Sequence, residues 1–309
     1  MTSKQLKTLG EFGLIDSIKK MTTVDRSVIL GIGDDTAILR DFKGKELLLT
    51  TDMLIEDRHF RRSDATGYQI GWKAMAVNIS DIAAMGGTPA HAVISIGLSK
   101  NLSVSFVKDI YKGLQAAAKK FKINVVGGDT NSSEKIVISI ALLGFCARNS
   151  ALKRSGAKPG DVIFVTGFLG GSYASKKHLI FTPRIAESRF LTKNFNIHSM
   201  MDISDGLASD IHRIAKASGV GAVLSSEAIP VSPLAKSVDQ ALSEGEDFEL
   251  LFTLSPKEAA RLTLSEQAKK FTPFHPVGKI VSKRDGVRLV RANKGSEIIN
   301  EKGFDHFRD

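Results

Sequence analysis

Short apolar runs in this chain repeatedly stop on aspartates set among Gly, Ser and Thr: GIGDD (31–35), TTD (50–52), GGDT (127–130) and MDISDG (201–206). An unpaired carboxylate is costly inside an apolar layer, so each acid marks the end of a strand rather than its middle. The pattern restricts the chain to short strands that each deliver an acid at one tip.

Hydrophobic periodicity supplies the intervening elements. Val28 to Ile32 and Glu46 to Thr51 read as strands, as do 91–98, Ile123 to Val126 and 136–145. Helical spacing over 5–20 places Leu6, Leu9, Phe12, Ile15 and Ile18 on one side. A second helix spans 67–85, with Ile70, Met75, Ile79 and Ile82 leaning one way and GGTP (86–89) as its stop. Asp81 lies near its C-terminal end, against the helix dipole, and so invites a positive partner. Ser103 or Ser105 caps a helix that runs to about Lys120. RSGAKPGD (154–161) is turn chemistry leading to a strand at 161–166. Beyond it come a helix from MDISDG to about Ser218, strands at 220–224 and 248–254, a helix at 256–270 and a strand at 276–281. Both halves mix α and β. With 309 residues, two domains are expected, 1–150 and 151–309, divided near Ala147–Lys153.

The most apolar stretch, Ile136 to Ala147, has 12 residues, whereas a membrane span needs about 20. The N-terminus has no apolar h-region, and the single cysteine, Cys146, cannot form an internal disulfide, so a cytoplasmic location is expected. The net charge of +10 is spread over scattered pairs such as Lys119-Lys120 and Lys269-Lys270, with no stripe or nucleic-acid-binding motif beside them. A solvated basic surface accounts for it, and neither nucleic acid nor membrane is an expected partner.

Several chemistries are missing. Neither Gly44-Lys45-Glu46 nor Gly278-Lys279-Ile280 ends in the hydroxyl of a P-loop. GIGDDT has Thr36 at the third position of a dinucleotide fingerprint and two acids where a pyrophosphate would approach. No nucleophile elbow, zinc pattern or activated cysteine is present. What remains is the set Asp34, Asp35, Asp52, Asp81, Asp129, Asp202 and Asp205. Taken singly, each acid has an equally good role as a turn residue or helix cap. Taken together, oxygen donors without His or Cys suit Mg²⁺ beside the phosphates of a nucleotide, because convergent acids repel one another unless cations neutralise them.

The ordered motifs resemble those of the thiamine-monophosphate kinase family, within the superfamily that also holds aminoimidazole ribonucleotide synthetase, selenophosphate synthetase and the hydrogenase-maturation dehydratase. The matching stretches are EFGLI (11–15), GIGDDTAIL (31–39), TTDMLIEDRHF (50–60), GWKAMAVNISDIAAMGGTP (71–89), GGDT (127–130), RSGAKPGD (154–161), TPR (182–184), MDISDGLASD (201–210), GEDFELLFT (245–253) and GFDHF (303–307). The resemblance implies a mixed α/β, two-domain aminoimidazole ribonucleotide synthetase-like fold. Its N-terminal domain would form a barrel-like core in a homodimer, and its C-terminal α/β domain would complete the nucleotide and substrate site. It implies transfer of the γ-phosphoryl group of ATP to thiamine monophosphate, with several Mg²⁺ ions and no covalent nucleophile.

Carried over residue by residue, the metal positions are Asp34, Thr50, Thr51, Asp52, Asp81, Asp129, Asp202 and Asp205. ATP positions are Tyr111, Gly128, Asp129, Arg154 and Ser204, and substrate positions are His59, Glu246 and Phe304. Asp57, Glu244, Gly171 and Phe304 depart from the family's usual residues, and the 12 residues between Gly170 and Pro183 form an unusually short connection in which a helix is curtailed or missing. Within the superfamily a purine-pathway synthetase is the nearest rival, but GEDFELLFT and GFDHF favour the thiamine enzyme. A non-catalytic sensor of ATP or thiamine phosphates is the rival of another class, supported only by the altered Gly171 and Glu244.

Overall fold

The computed structural model describes residues 28–31, 33–40, 44–292, 295–301 and 303. The helix expected over 5–20 lies outside them, as does Phe304. Two sheets organise the rest. The first contains β1 (Val28–Leu30), β2 (Ala37–Arg40), β3 (Lys45–Ile55), β4 (Thr88–Leu98), β5 (Asn124–Ser132) and β6 (Val137–Ala147), in the order β1-β2-β3-β6-β4-β5. Its pairings are antiparallel except β4 with β5, which needs a crossover; α2 (Val104–Phe121) provides it. The sheet is open, with no closed barrel in one chain among the described residues. GGDT does not form a turn at the tip of β5 but lies inside that strand, where a Cβ at Gly128 would stand 1.9 Å from the Ile94 carbonyl oxygen.

Period-2 alternation divides this sheet into two faces. Leu48, Ile94, Ile138, Ile140 and Leu142 are buried beneath α1 (Gly67–Ala84). The opposite face carries Leu49, Met53 and Val93, all exposed. Helix α1 opens with a capping box, Thr66 accepting from the Gln69 amide while Gln69 accepts from the Thr66 amide. Its burial is not confined to the side marked by Ile70, Met75, Ile79 and Ile82: Lys73, Asn78 and Ser80 are buried too. A helix with no solvent face lies at the centre of a structure rather than on its outside.

The second sheet has seven strands. β7 (Val162–Thr166), β8 (Ile197–Asp202), β9 (Gly221–Ser225), β10 (Leu250–Leu254), β11 (Phe274–Val281), β12 (Val287–Arg291) and β13 (Gly295–Ile298) run in the order β13-β12-β9-β11-β7-β10-β8. Strand β10 is buried along its whole length because both faces are covered, which explains why it is apolar on both sides apart from Thr253. One face packs Ile163, Val165 and Leu251 against α5 (Leu207–Ser218); the other packs Phe164, Met200 and Phe252 with Phe190 of α4 (Ile185–Asn194). The remaining helices are α3 (Lys177–Ile180), α6 (Val238–Ser243) and α7 (Pro256–Thr263). Helix α3, of four residues, lies in the connection between Gly170 and Pro183. The helix expected over 256–270 ends at Thr263, followed by a separate 3₁₀ turn at Ala268–Lys270.

Helix α1 crosses α2 at two glycines: a Cβ on Gly71 would lie 1.9 Å from the Ile110 carbonyl oxygen, and one on Gly113 1.9 Å from that of Tyr68. Backbone cannot yield as a side-chain tip does, so a methyl group there forces the helices apart. Gly113→Ala is expected to destabilise the fold by about 1–3 kcal/mol, the usual range for overpacking, read as a lower urea midpoint with unchanged slope.

Candidate active site

Strand β3 places Thr50 and Asp52 on its buried side, facing the C-terminal part of α1. Asp81 comes from that part of α1, Asp202 is the last residue of β8, and Asp35 sits in the turn before β2. Oxygens of Asp35, Asp81 and Asp202 all lie within 4.8 Å of one another. The Thr50 hydroxyl donates to Asp81 at 2.5 Å, the Ser80 hydroxyl donates to Asp202 at 2.5 Å, and the Asp52 amide donates to Asn78 Oδ1 at 3.1 Å. Three distant stretches of sequence thus deliver acids to one buried point.

Burial and mutual repulsion lift Asp34, Asp52, Asp81 and Asp202 above their ordinary range. Asp52 is pushed up to about 6, chiefly by burial and further by Asp35 and Asp205. Asp81 rises well above its usual value through burial and the charges of Asp52 and Asp202, and Asp202 through burial and Asp35. Asp34 is pushed to about 7 by burial and by Asp35. Two guanidiniums oppose this. Arg154 donates to Asp35 through Nη2 at 2.8 Å and Nε at 3.3 Å, and its amide donates to Asp34 at 3.1 Å. Arg213 bonds Asp210 at 2.5 Å and Asp205. The unsatisfied negative charge of an oxygen-only donor set fits a hard divalent cation.

A second group adjoins the first. The Lys73 ammonium is fully buried and donates to the His59 carbonyl at 2.6 Å and to both carboxylate oxygens of Glu246 at 2.6 and 2.7 Å. Burial draws its pKa down, and Glu246 acts against that. His59 Nδ1 accepts from the Ile55 amide at 3.0 Å. Glu246 has a left-handed backbone, φ 63°, and its amide donates to the Ser204 carbonyl at 2.6 Å. His59, Ser204 and Glu246 are therefore linked, and Gly303 leads into the C-terminal motif alongside Asp205 and Ser209.

Other expected residues stand apart. Thr51 points to the open face of the first sheet. Asp129 shares that face, since it pairs with Ser95, which pairs with Ser139, and Ser139 pairs with Met53. Asp129 is exposed and accepts from Asn131 at 2.7 Å. Gly128 is in line with Asp52 three strands away, about 14 Å at the usual spacing. Tyr111 is half-buried on α2 against the first core. Of the adjacent pair, Asp35 rather than Asp34 enters the carboxylate group. Lys73, Asp210 and Arg213 belong to the site without having been expected. A lysine inside an apolar helical run signals a buried acid partner, and Lys73 in GWKAMAV carries that signal. Cys146 is buried, with its thiol pushed up to about 11 chiefly by burial, so it is not a thiolate at neutral pH.

Removing one of the mutually repelling charges relieves the fold when no cation is bound. Asp81→Asn is expected to melt about 2–4 °C above the parent without divalent cation, the response of a chain this size to roughly 1 kcal/mol. Millimolar Mg²⁺ is expected to raise the melting temperature of the parent and not that of the variant, as read by thermal melts with and without the ion.

Residues 33–146 match the AIR synthase related protein N-terminal domain, and residues 158–291 its C-terminal domain. The thiamine-monophosphate kinase of Bacillus subtilis is 34% identical over 327 residues, covering 97% of this chain and 100% of the relative. That of Aquifex aeolicus is 39% identical over 331 residues, covering 98% and 100%. Among solved structures, AaThiL complexed with AMPPCP and TMP superposes with a TM-score of 0.85 at 35% identity, covering 99% of this chain and 100% of that one. The HypE–HypF complex, at 21% identity and TM-score 0.72 over 93% of this chain and 99% of that one, shares the fold alone. The chain belongs to the AIR synthase related family and, within it, to the thiamine-monophosphate kinases.

Proposed function

We propose that the chain transfers the γ-phosphoryl group of ATP to thiamine monophosphate, releasing ADP and thiamine diphosphate, in thiamine diphosphate biosynthesis in the cytoplasm. The observation that carries this reading is the meeting of Asp35, Asp81 and Asp202 beside the Lys73–Glu246 pair. A cation-demanding pocket for phosphates thereby adjoins a polar pocket for an acceptor. Asp35, Asp52, Asp81 and Asp202, with the Thr50 hydroxyl, would hold Mg²⁺; Asp34 and Asp205 would support it from the Arg154 and Arg213 pairs. When bound, Mg²⁺ supplies charge neutralisation between two anionic reactants.

The chain's own residues position the reactants. Arg154 and Ser204 line the nucleotide side, and His59 and Glu246, with Phe304 of the C-terminal motif, the acceptor side. A phosphate monoester with a second pKa near 6 is already largely ionised at neutral pH, so its oxygen attacks the γ-phosphorus in line without a strong base. No side chain becomes phosphorylated.

A homodimer completes the reading. Exposed Leu49, Met53 and Val93 share the open face of the first sheet, an apolar surface of the kind that seeks a partner. Thr51 and Asp129 lie on that face, and Gly128 lies three strands from its own chain's Asp52, while Tyr111 packs against the first core. Their proposed metal and ATP contacts therefore depend on the second copy.

Incubation with ATP, Mg²⁺ and thiamine monophosphate, followed by chromatography, is expected to give thiamine diphosphate only in the complete mixture. ATP binding without product overturns the reading. Asp202→Asn is expected to lower turnover at least about 100-fold with the fold retained, since it removes charge stabilisation at the reacting phosphates. Met53→Glu is expected to convert a dimer to a monomer in sedimentation velocity.

A further inference from the structure

We infer that Tyr173 is a specificity-determining residue of the acceptor pocket, its ring forming a wall for a cationic heteroaromatic ring. This rests on the reading of the acceptor as thiamine monophosphate, whose thiazolium carries such a charge.

The short connection brings Tyr173 there. Gly171 has φ 70°, and a Cβ on it would meet the Ala235 amide nitrogen at 2.8 Å, so the turn accepts only glycine without moving backbone. Beyond it the chain folds onto the loop carrying Glu246: the Ser172 hydroxyl donates to the Glu246 carbonyl at 2.7 Å, and the Tyr173 amide donates to Glu244 Oε1 at 3.2 Å. The Tyr173 ring packs on the buried His178 ring, with centroids 4.5 Å apart, while His178 Nδ1 is held by the Ser172 carbonyl at 3.0 Å. Burial, with the charges of Glu246, Glu244 and Asp205, pushes the pKa of the phenol upward, keeping the hydroxyl neutral.

One side of the ring is therefore fixed by His178, while half of the residue remains open to solvent. The charges around it select for a cation. Lys73 occupies both oxygens of Glu246, and Arg213 holds Asp205. Glu244 receives only the Tyr173 amide and the Gln240 side chain, and has no cationic partner among the described residues. An electron-rich ring face beside an uncompensated carboxylate attracts a positively charged ring and discriminates against a neutral one of the same shape.

Calorimetric titration of the full chain with thiamine monophosphate, in Mg²⁺ and a non-hydrolysable ATP analogue, tests this beside its neutral thiophene isostere. The parent is expected to prefer the cation by about tenfold, Tyr173→Phe to keep that preference, and Tyr173→Leu to lose it with ATP-analogue affinity unchanged. In turnover, Tyr173→Leu raises KM for thiamine monophosphate and leaves that for ATP in place. Undiminished cation preference in Tyr173→Leu, or equal weakening of both ligands, overturns the assignment of Tyr173 alone. A parent that binds the ATP analogue but neither thiamine compound overturns the acceptor reading and this inference with it.

Discussion

Beyond its first turn helix α1 has no solvent face, so each polar group it carries there must find a partner on another element, and those partners join the two sheets. Trp72 Nε1 donates to the Phe181 carbonyl at 2.8 Å, the Ala83 carbonyl accepts from the Ser188 hydroxyl at 2.6 Å, Ser80 reaches Asp202, and Lys73 reaches Glu246. Every one of these contacts runs from the first half of the chain to the second. The polar groups that would penalise an isolated buried helix become the joint. The same joint holds Asp81 beside Asp202 and His59 beside Glu246, so the geometry of both pockets is set by one helix.

The carboxylates oppose this arrangement. Several are buried with like charges nearby, and the folded chain carries that repulsion. Arg154 and Arg213 relieve only part of it, holding Asp35 and the Asp205–Asp210 pair. Asp205, Asp210 and Arg213 lie within nine residues around the start of α5 and form a local clamp. Asp35, Asp81 and Asp202 come from separate elements and have no such local solution. The Asp205–Asp210 pair is neutralised within its own segment and Asp35 by the distant Arg154, whereas Asp81 and Asp202 make no ion pair among the described residues.

Much of this was legible in the sequence because acids at strand ends have few structural uses in combination. Asp202 ends β8 as that pattern suggests, whereas Asp52 lies within β3, which runs on to Ile55 instead of stopping at TTD, and Asp81 lies within α1; they meet, with Thr50, because β3 packs on that helix. Asp34 and Asp35 show its limit: in a turn, backbone angles decide which of two neighbours faces inward, and composition carries no trace of them. GGDT reads as a turn from its glycines, yet Gly128 serves close approach of β5 to β4 within a strand. Helix α1 has a weak one-sided pattern because three layers surround it, and that three-dimensional fact is absent from local periodicity. Lys73 was visible as a charge in an apolar run, but its partner, Glu246, lies 173 positions away.

Two of the positions read as departures from the family's usual residues, Gly171 and Glu244, are physically connected. Gly171 permits the tight turn, the turn delivers the Tyr173 amide, and Glu244 accepts it. An aspartate at 171 would have to adopt φ 70° and displace the Ala235 backbone, and a glycine at 244 would leave the Tyr173 amide without that acceptor. The connection between Gly170 and Pro183 spans the joint, since Phe181 stacks on Phe248 at 4.1 Å and its carbonyl holds Trp72. Gly171 and Glu244 thus look like losses only when read singly. Together they describe a shorter route over the same pocket, closed by an aromatic side chain, which is why the departures leave the carboxylates of Asp81 and Asp202 in place.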